Sequence, residues 1–142
     1  MKRFLVSAAA AIGFYAGAPA LAAGQDAVEY RQQLMKTLEA QFQAITLIYI
    51  ADAPLQNLQS HLTAALLAAR MLPAAFEPRA LGGASQPQIW TKWDDYALQM
   101  GEFEARIAIA LEAAKRGNPP REILFHIDAI SCRQCHDRYR RY

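Results

Sequence analysis

Ser131-Cys132-Arg133-Gln134-Cys135-His136 sets two thiols three positions apart, with an imidazole directly after the second. Residues three and four apart share a helix face, so a helical reading presents both sulfurs and the ring to one side. Two thioether bonds to the vinyl groups of a porphyrin need that arrangement, and the histidine is then placed as the proximal ligand of the iron. A covalent tether also keeps the cofactor bound.

Other chemistries that use two close cysteines fit the motif less well. A disulfide-exchange CxxC normally starts a helix beside a βαβ sheet, whereas this motif closes a chain with helical periodicity throughout. Structural zinc requires four ligands in a tetrahedron, and only His61 and His126 are left to complete one, each alone on its helix. His126 precedes His136 by ten residues, which at about 100° per residue sets it roughly a quarter turn away, outside the face shared by residues three or four apart. Chance occurrence of the five-residue pattern is the remaining alternative.

Working back from the motif, apolar residues recur at steps of three and four in four stretches, with no sustained alternation. The first predicted helix runs from Asp26, an N-cap with Glu29 placed as in a capping box, through Val28, Leu34, Leu38, Phe42, Ile45 and Tyr49 to Ala51–Ala53. A second spans Leu55–Met71 and carries Leu58, Leu62, Leu66 and Ala69, with Pro73 as its stop. Pro73–Pro87, containing Pro78, Gly82, Gly83 and Ser85, reads as a loop long enough to be functional or mobile. The third helix, from Pro87–Ile89 to Arg116, buries Trp93, Met100, Phe103, Ile107 and Leu111, and Gly117-Asn118-Pro119-Pro120 ends it. The fourth runs from Arg121 into the haem motif with Ile123, Leu124, Ile127 and Ile130 inward. Short links between the first and second and between the third and fourth helices imply an all-α, antiparallel four-helix bundle.

The N-terminus has a different character. Lys2 and Arg3 precede an apolar run from Phe4 to Tyr15, and Ala20-Leu21-Ala22-Ala23 follows Gly17 and Pro19. This is the order of a secretory signal peptide, and the run is shorter than the roughly 20 residues of a membrane span. Residues 1–23 are therefore expected to be removed, leaving 24–142 as one periplasmic domain with no membrane span. Of the 15 basic residues two lie in that segment, and the rest equal the 13 Asp and Glu. The processed chain is thus near neutral, without the general basic field that drives nucleic-acid binding. Arg133, Arg138, Arg140 and Arg141 make only the C-terminus locally positive.

Over this span the sequence resembles the cytochrome c′ family, the class II c-type cytochromes. The residues that carry the likeness are Asp26-Ala27-Val28-Glu29-Tyr30-Arg31-Gln32, Pro73-Ala74-Ala75-Phe76, Pro87-Gln88-Ile89-Trp90 and Cys132 through Arg140. A haem motif at the C-terminal end is the most specific of these marks. The resemblance implies one covalent haem c inside the bundle, held by Cys132 and Cys135 with His136 on the iron. By position it implies Arg31 and Arg140 near the haem propionates or the proximal face, where a guanidinium pairs with carboxylates. It also implies Phe76 in the distal region, and Met35 where low-spin relatives carry a methionine as sixth ligand.

Two functions are then open, neither of them enzymatic, since no paired carboxylates for acid–base work are legible. The preferred expectation is an electron carrier with Met35 bound to the iron or close to it, because a thioether ligand raises the reduction potential. The alternative is a five-coordinate haem that binds nitric oxide or carbon monoxide on a face lined by Met35, Phe42 and Phe76. Expected partners are periplasmic redox proteins, an acidic one fitting the arginines at the haem edge, and a second copy of the chain in a homodimer.

Overall fold

The computed structural model describes residues 19–51, 53–128 and 132–142. Its helices are α1 (Pro19–Ile50), α2 (Leu58–Phe76), α3 (Gln88–Thr91), α4 (Trp93–Lys115), α5 (Pro120–Asp128) and α6 (Cys132–Tyr139), with a 3₁₀ turn at Leu55–Asn57 leading into α2. The export segment up to residue 18 and the inward placement of Ile130 lie outside the described residues.

Each long helix buries one stripe. On α1 it is Leu34, Leu38, Ile45 and Ile48; on α2, Leu58, Leu62, Ala65, Leu66, Ala69 and Leu72; on α4, Tyr96, Met100, Ile107, Ala110, Leu111 and Ala114. These stripes meet as α1 packs on α2, α2 on α4 and α4 on α5. Phe42 and Phe103 pack against this core, their rings 6.1 Å apart. Alanines on α2 and α4 supply the small surfaces that let the long residues interlock. The result is the expected four-helix bundle, with α3 leading into α4 and α5 followed by α6.

Several boundaries differ from expectation for physical reasons. Helix α1 starts at Pro19, so Asp26 lies inside it and caps nothing; the alanines before it are strong helix formers. Pro73 does not stop α2, which continues to Phe76. An interior proline costs about 3 kcal/mol, but the extra turn buries Phe76 and Ala75, the first alone worth about 1.5–3 kcal/mol. The turn gains further when the Trp90 indole N–H donates to the Phe76 carbonyl at 2.7 Å, a helix-end acceptor that otherwise has no partner in the helix. The third predicted helix is broken at Lys92 (φ −127°, ψ 47°) into α3 and α4. At the other end of α4, Gly117 (φ 72°) takes a left-handed turn. The Gly117 and Asn118 amides return to the carbonyls of Ala114 and Ala113, both at 3.1 Å, a Schellman ending.

The segment from Glu77 to Pro87 is a clasp. Arg31 Nη2 donates to the Ala80 carbonyl at 2.5 Å, fixing one end to α1. At the other end Gln86 N–H donates to Tyr139 O at 2.9 Å and Arg141 N–H to Ala84 O at 2.8 Å. The loop thereby ties α1 to the helix that carries the cysteines.

Candidate functional site

Helix α6 presents Cys132, Cys135 and His136 to a cleft whose enclosed part measures about 120 Å³. Met35 and Leu38 of α1 and Leu72 of α2 supply apolar wall. Helix α4 contributes Tyr96, Met100 and Phe103, with the polar Gln99, Glu102 and Arg106 along the shoulder of the same face. Three of the expected site residues are thus brought together on one helix, and Met35 joins them from another.

The chemistry of the donors favours a porphyrin over the other readings. Burial, and next the neighbouring Cys132, push the Cys135 thiol above its ordinary range, the reverse of the lowered value that makes a CxxC reactive in disulfide exchange. Burial, and then the charge of Arg140, hold His136 below the usual histidine range against the opposing pull of Asp137. That favours the neutral imidazole, the metal-binding form. Among the described residues no group of three His, Cys, Asp or Glu side chains gathers as a zinc site would require.

Arg31 is 2% exposed. Its guanidinium lies 5.2 Å from the Phe76 ring centroid and 5.4 Å from that of Trp90, and Nε donates to the Ala27 carbonyl at 3.1 Å. Nη1, however, is buried with no partner, a donor that normally finds an acceptor. Arg31 does not line the cleft, so the fit to haem rests on the two thiols and the neutral imidazole that do.

A sequence profile described as cytochrome c′ matches residues 26–140. A cytochrome c′ of Alcaligenes xylosoxydans xylosoxydans is 30% identical over 120 residues, covering 82% of this chain and 94% of that one. The chain belongs to the cytochrome c′ family. Its cofactor is accordingly one covalent haem c with iron. Solved structures agree on the bundle. A variant of ferric cytochrome c′ from Alcaligenes xylosoxidans complexed with nitrite superposes with a TM-score of 0.77 at 25% identity, covering 84% of this chain and 97% of that one. A nitric oxide complex of another variant of the same protein gives the same four values, 0.77, 25%, 84% and 97%.

In this cytochrome c′ the remaining expected residues lie off the cleft wall. Phe76 packs behind it, its ring 5.3 Å from that of Tyr96, and Phe42 sits behind Phe103. Arg140 is exposed, stacked 5.7 Å from the Tyr142 ring centroid, and reaches His136 through its charge. His61 shares a hydrogen bond with Gln41 at 2.8 Å, and His126 stands edge-on to Phe125; neither lines the cleft. Tyr96, Gln99, Glu102 and Arg106 were missed as site residues. The signal available was a polar row one position ahead of the apolar Met100-Phe103-Ile107 row.

Proposed function

We propose that this cytochrome c′ is a periplasmic gas-binding haem protein: Cys132 and Cys135 hold the haem, His136 is the one axial ligand, and nitric oxide or carbon monoxide takes the open position. The observation that carries this reading is the wall around Met35. With Leu38, Leu72 and Phe103 it gives the cleft an apolar wall, which suits an uncharged diatomic ligand. The structurally similar proteins solved with nitric oxide and with nitrite support the same assignment.

The haem supplies an iron that exchanges electrons and binds small ligands. The chain's residues do the rest. The two sulfurs fix the porphyrin edge to α6, and the neutral His136 ring offers its nitrogen. Arg140 sets the charge beside His136, and Arg31, behind the cleft, ties the loop at Ala80 to α1. Long unbranched side chains, Met35, Met100 and Arg106, are the ones able to yield as a flat group enters.

A second reading keeps Met35 as sixth ligand of an electron carrier, on the observation that it lines the same cleft as His136. The absorption spectrum of the ferric protein decides. A high-spin spectrum that changes on adding nitric oxide supports gas binding; a low-spin spectrum with a methionine-to-iron charge-transfer band, lost in Met35→Ala, overturns it.

Residues 1–23 serve in this proposal as a cleaved export signal, supported by the charged start, the short apolar run and the Ala-x-Ala site. Among the described residues no helix is long and apolar enough to cross a membrane. The intact mass of the periplasmic protein checks both the cleavage and the haem. Leu47 and Leu67, exposed on α1 and α2, support pairing of two copies, which sedimentation measures.

A further inference from the structure

The chain has four methionines, and Met1 falls in the proposed signal. The other three divide by place. Met71 is on the outer face of α2, 42% exposed, its sulfur accepting a hydrogen bond from the Tyr30 hydroxyl at 3.7 Å. Met35, half-buried, and Met100, 5% exposed, line the cleft beside Cys132, Cys135 and His136. An oxidant acting from bulk solvent meets Met71 first, since thioether oxidation follows exposure.

We infer that Met35 is a modification site, oxidised to its sulfoxide by hydrogen peroxide inside the haem cleft ahead of the more exposed Met71. The inference rests on the proposed open iron position, because an open iron activates peroxide beside this sulfur and not beside Met71. The O–O bond of peroxide breaks and one oxygen forms the S–O bond at Met35 Sδ. The sulfur loses two electrons, and the other oxygen leaves as water with both hydrogens. Iron ends in the state in which it began. Met100 shares the cleft but is more deeply buried, so Met35 is the sulfur the oxidant reaches.

The product changes the cleft. A flexible apolar side chain becomes polar, with a strong acceptor oxygen, in a wall otherwise made by Leu38, Leu72 and Phe103. Arg106 lines the same cleft and carries N–H donors for that oxygen. Oxidation of Met35 therefore turns an apolar gas site into a hydrogen-bonding one, and sulfoxide reduction restores it.

The test uses the ferric holoprotein. Trypsin puts the three sulfurs on separate peptides, Gln32–Lys36, Met71–Arg79 and Trp93–Arg106, so mass spectrometry reads the gain of one oxygen at each. With hydrogen peroxide, Met35 is expected to be oxidised several-fold faster than Met71. With chloramine-T, which oxidises thioethers by exposure alone, the order should reverse. The same order with both oxidants, or oxygen appearing at Met100 and not at Met35, overturns the inference. The resting spectrum separates the two levels: a high-spin protein whose Met35 stays unmodified removes this inference and leaves gas binding standing. A low-spin, methionine-bound spectrum removes both.

Discussion

The Tyr139 hydroxyl donates to Asp95 Oδ2 at 2.5 Å, joining the helix of Cys135 and His136 to the first turn of α4. Tyr139 lies one helical turn beyond Cys135, and its ring meets Tyr96 edge-on at 5.0 Å; Tyr96 in turn lines the cleft. The guanidinium of Arg138 stands farther from the same carboxylate, at 3.7 Å, and being exposed adds little. The Gln86 and Arg141 backbone bonds hold the end of α6 to the clasp, and on the α4 side it is held by the Tyr139 ring contact and hydrogen bond.

That bond makes stability depend on pH at both ends. Chiefly through Tyr139, the Asp95 carboxyl is held below its ordinary range, so its contribution is present above the unfolded value near 3.9 and is lost as pH falls through the lowered folded value. Burial, and then Asp95, push the Tyr139 phenol up to about 12; this part is full below the unfolded value near 10 and is lost as pH rises through about 12. Tyr139→Phe should flatten both limbs of a plot of melting temperature against pH and lower its plateau. Parallel curves for the two proteins would show that the bond contributes nothing to folding.

Arg31→Lys keeps the charge and loses the fork. The Ala80 and Ala27 carbonyls each lose a partner at a buried site, which costs about 1–3 kcal/mol in urea unfolding. The clasp should also loosen, so that the Gln86 and Arg141 amides, bonded to Tyr139 and Ala84, exchange hydrogen faster than in the parent. Unchanged exchange there would mean that the loop is held from the C-terminal side alone.

Leu62 is 0% exposed on α2. Leu62→Ala should cost about 2–5 kcal/mol, against about 0.5–1.5 for Ile107→Val on the facing helix. If the two cost the same by chemical denaturation, the α2–α4 contact is looser than the packing described.

Helix periodicity exposed the buried stripes of α1, α2 and α4 because each has one clear apolar face, and the Cys132-Cys135-His136 spacing marked the site because the chemistry fixes it. Pro73 misled because a local breaker was outweighed by burial of Phe76 far along the chain, a tertiary effect. Lys92 gave no warning of a break, since lysine is an ordinary helix former. Tyr96, Gln99 and Arg106 became site residues only when α6 was laid against α4. Met35 and Arg31 entered through family resemblance, and the fold placed the first on the cleft and the second behind it.

Gly83 and Gly117 both have positive φ, 58° and 72°, yet their surroundings differ. A Cβ at Gly117 meets nothing within 4 Å, whereas at Gly83 it would lie 2.8 Å from Gln32 Nε2 and 3.2 Å from Val28 Cγ1. The left-handed backbone alone costs a non-glycine residue about 1–2 kcal/mol, so Gly117→Ala should lose about that much. Gly83→Ala should lose more, because Gln32 can swing away but Val28, branched at Cβ, has little freedom to follow. The surplus falls on the clasp, and melting curves of the two variants measure it; equal losses would mean that the loop moves off α1 without cost.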